Sequence, residues 1–296
     1  MISVVFPDGL NWFYERLARS LEDELRRLGV SATAIPAHEL AVSPPGPGAC
    51  VLLVSAAECA ASADRTSQRE AFLTAVRCFD RRVLINYDSL HAHWFFEQLK
   101  LGPGLFTEIF DIAVKPQAGA VYAGLPYRWI PEALWLLGAN QKRPKWTAGR
   151  AFPWAIVGHV NENRAALVSA LIRSEEPHGF VYLPPLKAYG QNSGLDEERL
   201  GKVLENSDFY IWNSHHRHPY HEGVRAIQAV AAGAAPAKIE PLYADRFSEI
   251  PWVYPSLEAM DEAKRRSGPG GLHRVALAFL EQFPPLGVSV RTALAA

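Results

Sequence analysis

Residues 213–236 read NSHHRHPYHEGVRAIQAVAAGAAP, placing His215, His216, His218 and His221 within seven positions directly before a run of small, helix-compatible residues. Imidazoles so crowded suggest a metal site, a cradle for phosphate, or a hydrated loop ahead of an ordinary helix. Only His218 and His221, three apart, together with His215, have a spacing that lets them converge. No H-E-x-x-H or paired Cys/His pattern accompanies them, so no metal is expected. The phosphate reading fits better. A loop that leaves a strand and enters a helix presents free backbone N–H groups at the helix start, where the dipole also favours negative charge. His215, Arg217, His218 and Arg225 add donors or positive charge there, with Asn213 at the strand end and Glu222 ahead of the helix in the same candidate set.

Other residues of suitable chemistry stand at similar places. Asp8 and Gly9 fill the first strand-to-helix turn, where glycine lets a ligand approach the backbone and Asp8 can equally cap the helix. Asp88, His91 and His93 follow VLINY; Asp88 or His91 could remove a proton from an acceptor hydroxyl, and Asp88 could equally be a helix N-cap. His159, Asn161 and Arg164 follow AIVG, with Arg164 readable as a phosphate ligand or a surface residue. Lys187, after VYLPP, is a further cation for a diphosphate or an exposed lysine. No G-x-G-x-x-G is present, which speaks against a dinucleotide-dependent oxidoreductase.

The elements that must position these residues alternate. ISVVF reads as a strand, PDG as a turn, and the following segment as a helix whose Leu17, Leu21, Leu25 and Leu28 recur at three- and four-residue spacing. The order continues with strands ATAIPA, ACVLLVSA, RVLINYD and FDIAVKP and helices SQREAFLTAVRCF and HAHWFFEQLK. Near NQKRPKWTAGRAFP the composition turns polar, basic and Pro/Gly-marked, as linkers are. Beyond it strands WAIVGHV, GFVYLPP, DFYIWNS, AAPAKI and WVYPS alternate with helices, ending in LEAMDEAKRR and a last long helix, LHRVALAFLEQF. Apolar strands separated by helices imply parallel sheets covered on both faces. The expectation is an α/β chain of two Rossmann-like domains facing a central cleft, 1–144 and 145–296, with the final helix packing back toward the first domain.

Composition bounds the function. The chain has 296 residues, 49% hydrophobic, a size that suits two domains rather than one. Thirty Lys+Arg against 31 Asp+Glu provide no global field for nucleic acid or an anionic membrane, so nucleic acid is not an expected partner. Cys50, Cys59 and Cys78 lack metal-ligand spacing and read as reduced thiols. No apolar run is long enough to span a bilayer and MISVVFPDGLNWF does not have the order of a secretory signal, so the cytoplasm is the expected location.

The segment from DFYIWNS through EGVRAIQAVAAGAAPAKI to WVYPSLEAMDEA resembles the nucleotide-binding half of GT-B glycosyltransferases, especially short bacterial ones related to spore-maturation proteins. The likeness is strongest from Asp208 to Met260 and extends in element order over the whole chain, including LPYRWIPEAL before the linker. It implies a GT-B-like fold with an N-terminal acceptor side and a C-terminal donor side. It also implies transfer of a sugar from a nucleotide-diphosphate donor to an unidentified acceptor hydroxyl; the Arg/His loop with its helix N-terminus would stabilise the departing diphosphate, so no metal or cofactor is expected. The family's helix carries a glutamate that accepts from the ribose hydroxyls; Gln228 stands there, and Tyr220 stands at the companion acidic position, with Glu222 two residues away. Gln228 keeps an acceptor oxygen but not the charge. Two alternatives accompany this reading: a sugar epimerase or phosphorylase of the same architecture, and a non-catalytic nucleotide- or sugar-binding protein.

Overall fold

The structure is a computed structural model that describes residues 1–9, 11–42, 49–64, 67–87, 93–102, 104–112, 121–122, 124–131, 144–174, 176–185, 195–214 and 222–296. It divides into two compact units, one of Met1–Trp135 with Tyr189–Asn192 and Pro284–Ala296, the other of Leu136–Ala188 with Ser193–Phe283.

In the first unit the chain runs β1 (Ile2–Phe6), α1 (Trp12–Arg27), β2 (Ala32–Pro36), α2 (Ala37–Val42), β3 (Cys50–Val54), α3 (Ala56–Asp64), α4 (Arg69–Arg77), β4 (Arg81–Asn86), α5 (His93–Leu99), β5 (Glu108–Asp111), β6 (Val121–Tyr122) and β7 (Leu125–Trp129). The strands lie in the order β2-β1-β3-β4-β5-β7-β6, parallel except for the antiparallel β6–β7 pair. All five residues of β1 are buried, as a strand covered on both faces requires. Helix α1 forms where expected. Asn11 caps its start by accepting from the Phe13 N–H, Leu17, Leu21 and Leu25 line its buried stripe, and Arg26 and Arg27 occupy its last turn, where cations suit the dipole. Val5, Leu53, Leu84 and Ile109 from the strands pack with Phe72, Val76 and Phe95 from the helices.

In the second unit the order is β8 (Phe152–Val157), α6 (Glu162–Ile172), β9 (Phe180–Tyr182), α7 (Glu197–Glu205), β10 (Ser207–Asn213), α8 (Gly223–Ala231), β11 (Ala235–Ile239), a short 3-10 turn (Ala244–Phe247), β12 (Val253–Tyr254) and α9 (Leu257–Leu280). The sheet is β12-β11-β10-β8-β9, parallel throughout. Side chains alternate across it. Trp154, Ile156, Phe209, Ile211, Ala237 and Ile239 share one core with Leu167 and Leu171 of α6 and Met260 of α9. Tyr210, Trp212 and Lys238, of the other parity, therefore point to the opposite face.

The segments LEAMDEAKRR and LHRVALAFLEQF, expected as separate helices, run on within α9 but are two helical stretches parted at Gly268, whose φ 64°, ψ 165° is not helical, directly before Pro269. Neither is the last helix. That is α10 (Leu286–Ala295), which was not anticipated and belongs to the first unit. The Gly287 N–H donates to the Glu24 carboxylate at 2.5 Å, and Arg81 reaches the carbonyl oxygens of Ala293 (3.2 Å) and Leu294 while also holding Glu108. Helices α2 and α3 also went unread. Helix α3 buries Ala56, Cys59, Ala60 and Ala63 at helical spacing, but these side chains are too small to print an amphipathic stripe in the sequence.

Two stability predictions follow from this packing. A Cβ on Gly287 would lie 2.6 Å from the Glu24 Cβ, so Gly287→Ala must displace α10 from α1. It should cost about 1–3 kcal/mol in urea unfolding and expose the C-terminus to protease first. His273 on α9 is fully buried, and burial pushes its pKa below the usual 6.5, with only the Val230 carbonyl at 3.4 Å opposing this. Its folded pKa thus lies below its unfolded one, so stability should fall as pH drops through 6.5 toward the folded value. His273→Leu should flatten that slope in urea titrations between pH 7 and 5.

Candidate functional site

In the second sheet the chain leaves β8 to one side for β9, then crosses to the other side for β10, so the strand order reverses between β8 and β10. The carboxyl ends of strands at such a reversal are where open parallel sheets bind ligands. The residues found there are unusually charged for a protein interior.

Gly158 follows β8 with φ 153° and carries Arg164 against its backbone; a Cβ at Gly158 would meet the guanidinium Nη1 at 2.7 Å and Cζ at 2.9 Å. Glycine is required for that approach. Asn161 caps α6 by accepting from the Arg164 N–H at 2.9 Å, and the Arg164 Nη1 donates to the His159 carbonyl at 2.7 Å. Arg164 is thus a buried cation and not the surface residue that its place on a helix also allowed. Burial, then the neighbouring Arg225, pull its pKa down to about 10, which leaves it charged at neutral pH. Burial, then Arg164 and Arg225, lower the pKa of His159, which favours its neutral form.

Arg225 stands on the first turn of α8. Its Nη1 donates to the Val157 carbonyl at 2.9 Å and to the Tyr210 hydroxyl, and its Nε lies 3.3 Å from the Glu222 carboxylate. Glu222 is buried and precedes α8 in a left-handed conformation, φ 52° and ψ 49°, which costs a non-glycine residue about 1 kcal/mol. Behind it the fully buried Lys238 ammonium of β11 lies 3.0 Å from Glu240. Burial pushes the lysine pKa down while Glu222 and then Glu240 hold its proton in place.

Three cationic side chains, Arg164, Arg225 and Lys238, thus share the carboxyl edge of β8, β10 and β11 with two carboxylates, Glu222 and Glu240. The excess is positive and poorly hydrated, which is the setting in which an anion is held strongly.

Of the residues anticipated from the sequence, His159, Arg164, Asn213, Glu222, Arg225 and Gln228 fall in this second unit. Asn213 ends β10, and its side-chain oxygen is buried with no hydrogen-bond partner among the described residues. Gln228 lies three residues beyond Arg225 on α8, half-buried. Gly9, at φ 68°, ends the β1 turn in the first unit and so is not placed with them. Asp88, His91, Lys187, His215, Arg217 and His218 lie outside the described residues. Lys238, Glu240 and Tyr210 were missed. The available signal was a lone lysine within the apolar AAPAKI strand, followed two residues later by a glutamate.

No family model matches the sequence, and no curated protein matches it. Among solved structures the chain is similar to an α-glucosyltransferase in complex with UDP, with a TM-score of 0.57 and 10% identity over 99% of this chain and 98% of that one. It is likewise similar to an α-glucosyltransferase in complex with UDP and a 13-mer DNA containing an HMU base, with a TM-score of 0.56 and 11% identity over the same shares. The fold is therefore the two-domain, GT-B-like α/β fold, with a mainly parallel sheet in each unit. No helix among the described residues is long and apolar enough to cross a membrane.

The charge cluster itself is testable. Removing the lysine while leaving Glu240 buried, as in Lys238→Met, should destabilise the second unit by about 3–5 kcal/mol. Pairing that change with Glu240→Gln should recover a large part, and urea unfolding of the three proteins measures both.

Proposed function

We propose that the protein is a glycosyltransferase that moves a sugar from a nucleotide-diphosphate donor to an acceptor hydroxyl, with the donor on the second unit and the acceptor on the first. The observation that carries this is the cationic excess at the strand-order reversal, where Arg164 and Lys238 are buried and Arg225 is largely so, in the fold of UDP-bound glucosyltransferases. In the transfer the acceptor oxygen bonds to the anomeric carbon, the carbon–oxygen bond to the diphosphate breaks, and the diphosphate departs with the electron pair. Preorganised cations aimed at that growing charge lower the barrier, and they do so without a divalent ion. Both neighbours hold UDP, which makes uridine the first base to test.

The finer likeness, to short spore-maturation-protein-like enzymes, and a cytoplasmic location, where nucleotide sugars are made, belong to the same proposal. For the acceptor, the balanced charge of 30 Lys+Arg against 31 Asp+Glu favours a compound other than nucleic acid. One neighbour was solved with DNA, so competition by a 13-mer duplex is the counter-test. A second reading, a binding protein without turnover, is supported by Gln228 in place of an acid; UDP binding without release of UDP from any UDP-sugar would favour it.

Calorimetric titration of uridine and UDP tests the donor site. Arg225→Ala should weaken UDP about tenfold to a hundredfold and uridine little, because the lost charge-assisted bond belongs to phosphate. Gln228→Ala should weaken both about equally, and Gln228→Glu should tighten both. Unchanged affinities in folded variants would remove the assignment. UDP binding should also survive EDTA; its loss, with rescue by one divalent ion, would refute metal independence.

A further inference from the structure

Helix α8 begins in an unusual way, and the residue responsible is Glu222. An N-cap residue ordinarily has an extended backbone and lets its side-chain oxygen accept from the second or third helical N–H. Glu222 does neither. Its backbone is left-handed, φ 52° and ψ 49°, and its carboxylate makes no cap hydrogen bond. The Arg225 N–H donates to the Glu222 carbonyl at 3.0 Å instead. The carboxylate lies 3.3 Å from the Arg225 Nε, where 6% of the glutamate side chain and 17% of the arginine side chain stay exposed. A strained backbone whose side chain does not cap its own helix points to a use elsewhere.

That use is visible in how the guanidinium is held. Its Nε faces Glu222, and its Nη1 donates to the Val157 carbonyl at the end of β8 (2.9 Å) and to the Tyr210 hydroxyl of β10. The guanidinium carbon also lies 5.7 Å from the centre of the Tyr210 ring. Contacts on two nitrogens, from the head of α8 and from two neighbouring strands, fix the plane of a rigid fork that otherwise turns about its last bonds. The fully buried Lys238 ammonium attracts the same carboxylate, so Glu222 is itself held. Charge alone gives no reason for this glutamate, because a carboxylate beside Arg225 lowers the positive potential that a diphosphate would meet. What it contributes is direction. An arginine already held in one rotamer loses little side-chain freedom when an anion arrives.

We propose that Glu222 and Tyr210 are positioning residues that hold the Arg225 guanidinium in the orientation from which it meets the donor's phosphates. This role rests on the reading of the protein as a glycosyltransferase with a nucleotide-diphosphate donor. Glu222 then acts through Arg225 and not as a donor ligand itself, although its place ahead of α8 put it among the expected ligands. Charge and geometry separate in one substitution. Glu222→Asp keeps the negative charge, suits a left-handed backbone at least as well, and loses one methylene of reach toward Nε.

The test uses the full chain and titrates UDP and uridine by calorimetry. Glu222→Asp should weaken UDP by about threefold to tenfold, the loss that freeing one long side chain brings, and leave uridine within about twofold. Tyr210→Phe, which alters no charge, should weaken UDP in the same direction by a smaller factor. In an Arg225→Ala background neither change should weaken UDP further, since the residue they position is gone. Nitrogen-15 NMR of the arginine Nε–H groups should show one signal, absent in Arg225→Ala, that exchanges slowly with water in the unaltered protein and faster in Glu222→Asp. A role in folding alone would lower the urea midpoint without changing the ratio of the UDP and uridine Kd values. Unchanged UDP affinity in folded Glu222→Asp, an equal loss for uridine, or the same loss in the Arg225→Ala background would overturn the proposal. If Glu222→Asp does not fold, Tyr210→Phe and the exchange rate in the unaltered protein decide, and fast exchange of the Arg225 Nε–H overturns it. Failure of the unaltered protein to bind UDP would instead strike the donor reading.

Discussion

Burying more positive than negative charge is the constraint around which the second unit is arranged. A cation removed from water carries a penalty of several kcal/mol unless hydrogen bonds and counter-charges replace its hydration. Each of the three cations meets that demand differently. Arg225 spends its guanidinium on a strand-end carbonyl, a tyrosine hydroxyl and Glu222. Arg164 leans on the backbone of Gly158 and donates to the His159 carbonyl. Lys238 pairs with Glu240. Glu222 adopts a left-handed backbone, and in that position its carboxylate lies within the cluster beside Arg225. A local cost of about 1 kcal/mol is small beside that of an unpaired buried guanidinium.

The alternation of the strands decides where this cluster can form. Phe209 and Ile211 point into the apolar core, so Tyr210 and Trp212 must point to the other face, and Lys238 follows the same parity on β11. The register pairs Trp212 with Lys238 and Asn213 with Ile239, which sets the lysine beside the end of β10. A one-residue slip in that pairing would exchange Ile239 for Lys238 in the core, so the buried lysine specifies register as well as charge.

Most of the fold was legible because its strands are short apolar runs separated by strongly periodic helices. What escaped notice did so for physical reasons. Helix α3 is built from alanine, cysteine and serine and shows no contrast between faces; α10 is held by a glycine contact with Glu24 and by Arg81 at its carboxyl end, interactions between residues more than two hundred positions apart. The charge cluster was legible in part. A loop between a strand and a helix pointed to Arg225 and Glu222, and the position after AIVG pointed to Arg164. Spacing along the chain did not reveal that Arg164 is buried, nor that Lys238 of an apolar strand joins it, because both depend on strand order.

The two sheets share a topology and differ in what stands at their reversal points. On the second, guanidinium and ammonium groups outnumber carboxylates and are largely withdrawn from water. On the first, Asp8 and His38 lie 3.2 Å apart and keep 40% and 39% of their side-chain surface. The two reversal points thus differ in hydration. A leaving diphosphate needs fixed charge in a poorly hydrated place, because water would screen the attraction and reorganise as the charge grew.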